Sequence, residues 1–296
     1  MSCPNSNAPI DITMANIYGK CDLKCNYNFK YSSSSSCVAT NRGDYISLAY
    51  ENPSTPPVIY SDITYFVDEI RIYSPSLHSY NGNKADGEMI IVHNSTSGSK
   101  PLLVCVPIVI NSKNSSTSVM LDQIVTTMSA QAPKSGDTIN VSLTDFNLNA
   151  FVPRKTFFKY TAIEPYQPCT TEVIYIVYIP SSGPIDINEE TLKLLNTFIL
   201  PNTYVIKTGP KLFFNKKGPS ISNTSGMGDE IYIDCQPVGV SEEEITVVTG
   251  APLALSDLQK MLNPILTNPY FITVVGSITF TLILYIMGKT KKQTDK

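Results

Sequence analysis

The sequence predicts a mainly β (α+β) domain followed by one C-terminal transmembrane helix. Short β-branched and aromatic runs alternate with turn residues, few segments have a helical period, and one long segment near the C-terminus carries no charge. A chain of 296 residues, 42% of them hydrophobic, can also bury one large core. We therefore expect a folded domain over residues 1–240, a stalk over 241–268, a transmembrane helix over 269–288 and a basic tail over 289–296.

Six runs have the length and composition of β-strands, because Val, Ile, Tyr and Phe favour a pleated, half-buried surface. They lie at residues 45–50, 63–73, 87–93, 102–110, 171–179 and 230–234. The dipeptides Asn81-Gly82 and Asp86-Gly87 favour a tight connection between the second and third runs. The six runs predict a sheet as the main architecture of the domain.

Helical signals are sparse in this domain. Residues 187–198 place Leu192, Leu194, Leu195 and Phe198 on one side, after an acidic start, and so predict one amphipathic helix packed on the sheet. The serine run at 32–36 and the polar stretch at 111–118 are expected to be loops because they contain no apolar period.

The segment from Tyr270 to Gly288 is the predicted transmembrane helix. Its 19 uncharged residues rise about 1.5 Å each, which is close to the hydrocarbon thickness of a bilayer. A buried core helix is the alternative, but core helices of this length usually keep a polar face. The lysine-rich tail favours a cytoplasmic or interior side of the membrane for the C-terminus. The N-terminus lacks the basic and then apolar pattern of a signal peptide, so the chain is expected to be anchored last, by its C-terminal end.

Charge and cysteine content exclude two classes of function. The net charge is −3, and the tail from Lys289 onward contributes +3, so the rest of the chain is acidic and is not expected to bind nucleic acid. The seven cysteines follow no metal-binding spacing, because the pair Cys21 and Cys25 has no second pair to complete a zinc site.

Both histidines of the chain, His78 and His93, lie in the segment from residue 70 to 93. Imidazole is the commonest metal ligand in proteins, so this pair could be the remainder of a metal site. Buried, hydrogen-bonded structural histidines would give the same pattern. The residues alone leave both interpretations open.

Several motifs occur in an order that resembles the α-carbonic anhydrases. They are NAPIDI (7–12), NRGDYISLAY (41–50), FVDEIRIYS (66–74), LHSYNGNKADGEMIIVHN (77–94), YTAIEPYQPCTTEVIYIVY (160–178) and SGPIDINEETLKLL (182–195). Each motif is weak, but together they extend the resemblance over residues 7–237. The resemblance implies a central twisted mixed β-sheet with few short helices.

In that family three neutral histidines on two adjacent strands hold a zinc ion, which lowers the pKa of its bound water. The resemblance places Arg71, Tyr73 and Ile90 at the three ligand positions. A guanidinium repels a metal cation and an isoleucine has no lone pair to offer. The chain is therefore expected to hold no zinc, to need no cofactor and to have no enzymatic activity.

Two further positions of the family's catalytic machinery also differ. Pro165 aligns with the threonine that orients the zinc-bound hydroxide, and Asp44 aligns with the histidine that shuttles protons. By the same resemblance His78 and His93 are structural, and Glu88 aligns with the glutamate that orients the third ligand. Arg71 is expected to pair with Glu69 or Glu88.

The resemblance also implies a disulfide. Secreted members of the family join a cysteine near the N-terminus to one that follows the threonine motif, and Cys3 and Cys169 lie at those positions. We expect this bond to close a very long loop and so to stabilise the fold.

Large DNA viruses encode membrane-anchored carbonic anhydrase-like proteins that have lost zinc ligands, and the chain resembles these. This implies a minor capsid or membrane component that links capsid and membrane, located in the virion membrane with a single-pass C-terminal anchor. Its expected partners are capsid or other virion proteins and the lipid bilayer, through Tyr270 to Gly288.

The alternative is a surface attachment protein that binds host glycosaminoglycans in a crevice over the lost zinc site. The basic residues available for that role are Arg154, Lys155, Lys159, Lys207, Lys211, Lys216 and Lys217. The acidic body disfavours this alternative. An active carbonic anhydrase is the least favoured interpretation.

Overall fold

The structure is a computed structural model that describes residues 3–220, without 113–114, 168 and 170–171 and without the side chain of residue 144. The predicted strand at 230–234, the stalk, the transmembrane helix and the basic tail lie outside the described residues. Within the described part of the chain, no helix is both long enough and apolar enough to span a bilayer.

The described residues form short strands and three α-helices. The strands are β1 (Asp11–Ile12), β2 (Ile17–Lys20), β3 (Tyr27–Phe29), β4 (Ser33–Asn41), β5 (Ile46–Leu48), β6 (Val58–Tyr60), β7 (Ile63–Tyr73), β8 (Ser79–Tyr80), β9 (Asn83–Lys84), β10 (Gly87–Ser95), β11 (Leu102–Ile110), β12 (Thr138–Asn147), β13 (Phe157–Ile163), β14 (Glu172–Val177), β15 (Ile185–Ile187) and β16 (Leu212–Asn215). The helices are α1 (Ser116–Gln131), α2 (Leu148–Phe151) and α3 (Glu189–Phe198), with short 3-10 turns at Met14–Asn16 and Pro180–Ser182.

Thirteen of these strands form one sheet within the described residues, and β1, β8 and β9 form a small second sheet. Along the large sheet the strand order is β12-β4-β5-β7-β10-β11-β14-β13-β16-β2. The centre of the sheet is antiparallel, while β11 pairs with β14 in parallel and β16 pairs with β2 in parallel. The prediction of a mainly β domain with a mixed sheet and few helices is confirmed.

The central strands agree closely with the predicted runs. The runs at 63–73 and 102–110 have the bounds of β7 and β11, and the run at 87–93 is β10 without its last two residues. Glycine is required at the start of β10, because a Cβ atom on Gly87 would lie 2.7 Å from the carbonyl oxygen of Tyr73. The amphipathic helix predicted over 187–198 is α3, which begins two residues later.

The sheet has a core on each face. One face packs against α1 and α3 in the larger core, to which β7 contributes Ile70 and Ile72. The other face forms a smaller core rich in tyrosine, which includes Tyr73, Tyr160 and Tyr175. The alternation of side chains along β7 and β10 therefore decides which residues enter the smaller core.

Two expected loops differ from the structure, the first along most of its length and the second only at its C-terminal end. The serine run at 32–36 lies largely in β4, which pairs with β12, and its serines alternate between exposed and half-buried positions. The stretch at 111–118 ends inside a helix, since α1 begins at Ser116 and the side chain of Ser115 accepts a hydrogen bond from the backbone N–H of Ser118 at 3.2 Å. In β4, pairing with β12 stabilises a strand despite its polar composition. In α1, the cap at Ser115 stabilises the start of a helix despite the polar residues there.

Candidate functional site

The site lies where β7 and β10 run side by side. In their antiparallel register Arg71 is opposite Ile90, and Tyr73 is opposite Glu88. Alternate residues of one strand, and residues directly opposite on the next, point to the same face of a sheet. The structure therefore brings Arg71, Tyr73 and Ile90, which the resemblance places at the family's ligand positions, to one face of the sheet together with Glu88.

Arg71 is held by a carboxylate and two aromatic rings. Its Nε donates to Oε2 of Glu69 at 2.5 Å, and the two side chains are only 15% and 17% exposed. Ser47 donates its hydroxyl to the other oxygen of Glu69. The guanidinium carbon lies 4.5 Å from the centre of the Tyr166 ring and 5.5 Å from that of Tyr45, within the range of a cation–π contact. Of the two acids predicted to pair with Arg71, the partner is Glu69.

Tyr73 and Ile90 complete an environment that is unsuited to zinc. Both are fully buried, and the Tyr73 ring packs 5.0 Å from the Tyr45 ring. Burial raises the pKa of Tyr73 well above its usual value, although Arg71 opposes this, so the phenol stays neutral. A fixed cation, a neutral phenol and a hydrocarbon chain therefore share one face of the sheet. These residues do not fit a zinc ion.

His78 and Glu88 form a buried hydrogen-bonded network beside this space. Nδ1 of His78 lies 2.6 Å from Oε1 of Glu88, and Nε2 lies 2.7 Å from the hydroxyl of Tyr160. Oε1 also accepts from Tyr80 at 3.2 Å, and Oε2 accepts from the backbone N–H groups of Leu77 and His78 at 2.7 and 3.1 Å. Burial alone would raise the pKa of Glu88, but the attraction and hydrogen bonds of His78 outweigh burial and lower it.

The thiol of Cys105 lies against the same network. His78, Glu88 and Cys105 are the one group of potential metal ligands within 4.8 Å of each other that occurs among the described residues. The two carboxylate oxygens already accept four hydrogen bonds, and both imidazole nitrogens are engaged. Burial, with Glu88 adding to it, raises the pKa of the Cys105 thiol and keeps it protonated. The polar groups of His78 and Glu88 therefore have their hydrogen-bond partners within the protein core.

His93 belongs to the opposite face of the sheet. Its Nδ1 lies 3.1 Å from the carbonyl oxygen of Leu102, and its Nε2 lies 3.0 Å from the hydroxyl of Tyr31. A carbonyl can only accept, so Nδ1 carries the proton and Nε2 accepts from Tyr31. Burial lowers the pKa of His93 to about 4. The two histidines of the sequence are thus not brought together.

The structure brings Asp44 and Pro165 together in one cavity. They line a cavity of about 500 Å³ with Leu200, Asn202, Tyr204 and Lys207. The lining contains one acid and one lysine, Asp44 and Lys207.

The structure contains a disulfide between Cys3 and Cys169, the pair that the resemblance implies, with an S–S distance of 2.09 Å. It joins the N-terminal segment to the connection between β13 and β14. A second disulfide joins Cys21 and Cys25, which sequence analysis did not pair. Cys37 and Cys105 are free and buried.

Two tyrosines beside His78 were not predicted from the sequence. Tyr160 and Tyr175 stack with ring centres 4.4 Å apart, next to His78. Tyr160 of β13 is directly opposite Tyr175 of β14, so the two rings point to one face. The predicted strand at 171–179 contains Tyr175, but no strand was predicted at Tyr160, so the sequence pattern did not bring the two rings together.

Comparison with known proteins identifies the family. The model of the eukaryotic-type carbonic anhydrase family matches residues 2–204, and the chain belongs to this family. A search of curated proteins found no match.

Solved structures show the same fold. The α-carbonic anhydrase of Thermovibrio ammonificans, in complex with the inhibitor sulfanilamide, has a TM-score of 0.58 at 16% identity, over 71% of this chain and 87% of that one. Dioscorin complexed with ascorbate has a TM-score of 0.60 at 16% identity, over 73% of this chain and 87% of that one. The α-carbonic anhydrase of Photobacterium profundum has a TM-score of 0.59 at 16% identity, over 71% of this chain and 89% of that one.

Proposed function

We propose that this chain is a non-catalytic member of the carbonic anhydrase family. The observation that carries the proposal is the position of Arg71, whose guanidinium shares one sheet face with Tyr73 and Ile90 and is fixed by Glu69. A permanent positive charge at a ligand position opposes a bound Zn²⁺, and without the metal no water is ionised near neutral pH.

Metal analysis and CO₂ hydration assays of the purified full chain test this proposal. We expect less than stoichiometric zinc and no rate above the uncatalysed one. As a positive control, the triple variant Arg71→His, Tyr73→His and Ile90→His is expected to gain zinc, because all three side chains would share one face. One equivalent of tightly held zinc in the natural sequence, or measurable turnover, would refute the proposal.

We further propose that the protein is a membrane-anchored structural component of a virion that links capsid and membrane. The support is the resemblance to zinc-free viral members and the uncharged segment Tyr270 to Gly288 with its basic tail. A fold that has lost its catalytic groups but keeps its sheet retains surfaces that can bind other proteins. Dioscorin, with a similar fold, is complexed with ascorbate, so the fold also supports binding.

Charge insertion tests the anchor. The variant Ile278→Arg with Leu282→Arg places two charges near the middle of the segment, each costing about 3 kcal/mol on insertion scales. We expect the variant to be extracted from membranes by alkaline carbonate. Leu23→Arg with Leu200→Arg is the matched control, because these leucines are 81% and 70% exposed. Equal membrane retention of both variants would contradict the anchor.

Cross-linking tests the partner. In intact particles of the virus that encodes this chain, surface lysines of the domain are expected to cross-link to capsid protein. Cross-links confined to copies of this chain, or its absence from purified particles, would contradict the structural role.

The glycosaminoglycan alternative receives no support at the crevice. There Asp44 accompanies Lys207, while the Arg154 guanidinium lies 4.4 Å over the ring of Phe29 and donates to backbone carbonyls. Retention on a heparin column at physiological salt would revive the alternative.

A further inference from the structure

The tripeptide Arg42-Gly43-Asp44 lies at the tip of a tight hairpin, and no role proposed above uses it. Strands β4 and β5 pair in antiparallel register on either side of it. The backbone N–H of Arg42 donates to the carbonyl oxygen of Tyr45 at 2.9 Å, so Gly43 and Asp44 are the two central residues of the turn. The hairpin therefore presents the tripeptide at the point where the chain reverses direction.

Hydrogen bonds from separate segments hold the tip in one conformation. Gly43 has a φ of +96°, a value that primed hairpin turns need at their first central residue and that favours glycine. Its backbone N–H donates to Oδ1 of Asn41 at 2.8 Å, and its carbonyl accepts from the backbone N–H of Leu200 at 2.6 Å. Asn41 is fully buried and donates to the carbonyl oxygens of Pro133 and Phe198. A loop that is already ordered loses less entropy when it binds a partner.

The two charged side chains beside Gly43 are available to such a partner. Arg42 is exposed, and Asp44 is half-buried and lines the cavity of about 500 Å³ described above. Within the described part of the chain neither side chain forms a hydrogen bond or an ion pair. Exposure alone does not distinguish a binding loop from a solvated turn, but the chemistry and spacing of the two charges do.

A guanidinium and a carboxylate on either side of a glycine require two different features in a partner. The guanidinium only donates hydrogen bonds, so it fits an acidic pocket. The carboxylate is a ligand that Mg²⁺ and Mn²⁺ prefer, so it fits a bound divalent cation with an open position. Gly43 has no side chain, so the partner can approach the backbone between the two charges. Leu200, which is 70% exposed and bonded to Gly43, adds apolar area beside the tip.

We propose that the tip of the β4–β5 hairpin is a receptor-binding loop, which a cell-surface receptor of the integrin class recognises through Arg42 and Asp44. Receptors of this class bind the same tripeptide and combine a divalent-cation site with an acidic pocket. The domain would be accessible to them on the outer face of a virion membrane, because the basic tail is expected on the interior side. The proposal goes beyond the capsid-linking role and does not depend on the absence of zinc.

Binding of a soluble integrin ectodomain to the immobilised full chain in detergent tests the proposal. We expect saturable binding in Mn²⁺ that EDTA abolishes, because the carboxylate would bind through the cation. A cyclic peptide that contains the same tripeptide should compete with the chain. A fibronectin fragment that carries the tripeptide, immobilised in parallel, shows that the ectodomain is active.

The variant Asp44→Glu keeps the charge and moves the carboxylate by one methylene group. It should bind at least about tenfold more weakly, because these cations tolerate little change in ligand position. Asp62→Glu is the matched control, since Asp62 is an exposed acid with a positive φ in the turn between β6 and β7, and it should bind as the natural sequence does. Both variants are expected to fold, which thermal unfolding followed by circular dichroism measures.

Arg42→Gln separates the two halves of the tripeptide. It should also weaken binding, while the remaining binding should still require Mn²⁺, because the carboxylate is unchanged. An effect of Asp44→Glu without any effect of Arg42→Gln would overturn recognition of the tripeptide as a unit.

Three further results would overturn the proposal. They are no binding of an ectodomain that binds the fibronectin fragment, equal binding by Asp44→Glu and Asp62→Glu, and binding that persists in EDTA. Binding to cells that heparin blocks and that neither EDTA nor the cyclic peptide affects would instead assign the glycosaminoglycan alternative. None of these results bears on zinc content or membrane anchoring, so this proposal and those above fail independently.

Discussion

His78 and Glu88 form a buried hydrogen-bonded network beside Arg71, Tyr73 and Ile90, the residues that the resemblance places at the ligand positions. A buried carboxylate is tolerable here because four donors surround it, one of which is the His78 imidazole at 2.6 Å. The network links β10 to the segment around residue 77 and, through Tyr160, to β13. We infer that this network stabilises the fold independently of any bound metal.

Removing one partner of this network should therefore be costly. We expect His78→Phe to lower the free energy of unfolding by about 3 kcal/mol, because Glu88 would be left buried without its main partner. Urea unfolding followed by circular dichroism measures the change. In a double-mutant cycle with Glu88→Gln the two losses should couple by about 2 kcal/mol. Simple additivity would show that the two side chains do not act together.

His93 predicts a dependence of stability on pH. Its pKa is about 4 in the folded protein, against about 6.5 when exposed, so between these values the unfolded chain binds more protons and folding weakens as pH falls. The contribution is fully present above pH 6.5 and is lost as pH falls toward 4. Between pH 7 and pH 4 we expect the natural sequence to lose about 3 kcal/mol more than His93→Gln. Equal losses in urea titrations would exclude this role for His93.

At the scale of elements, the strands that build the site were predictable and some of their neighbours were not. The run that became β11 is apolar and β-branched because both faces of the sheet are covered there, and that composition is visible in the sequence. The serines of β4 carry no such signal, since their strand is specified by its pairing with β12. Sequence patterns show burial well and show pairing partners poorly.

Some features of the candidate site could likewise be predicted from the sequence, and others could not. The positions of Arg71, Tyr73 and Ile90 followed from the family resemblance, and strand register places them on one face. The rings of Tyr45 and Tyr166 around Arg71 come from distant segments, and no local pattern identifies such contacts.

Helix α1 was missed although its sequence contains the signal. Leu121, Ile124, Val125 and Met128 recur at helical spacing and are fully buried in the larger core. The polar residues before Ser116 obscured this period.

Val125→Ala should lower the free energy of unfolding by about 2 kcal/mol, because it removes buried methyl groups from the larger core. Val119→Ala, at a position that is 54% exposed on the same helix, should change it by less than about 0.5 kcal/mol. Similar effects of the two substitutions, measured by urea unfolding, would contradict the packing of α1.

At the scale of the whole domain, the two disulfides should contribute unequally. Cys3 and Cys169 are 166 residues apart, while Cys21 and Cys25 are four apart. In the chain-entropy model the stabilisation grows with the logarithm of loop length, which gives about 5 kcal/mol for the long loop and about 2 kcal/mol for the short one. We therefore expect Cys3→Ser with Cys169→Ser to lower the free energy of unfolding more than Cys21→Ser with Cys25→Ser does.

Urea unfolding of the full chain, with and without reductant, measures both contributions. The long-loop variant should unfold at the lower urea concentration, and reductant should have less effect on it than on the short-loop variant, because its larger contribution is already absent. Peptide mapping under non-reducing conditions should recover Cys3 joined to Cys169 from the oxidised protein. If both cysteines are alkylated without reductant, the chain folds with free thiols there, and the closure of the N-terminal segment onto the β13–β14 connection must depend on packing and backbone hydrogen bonds such as that from Cys3 to Pro165.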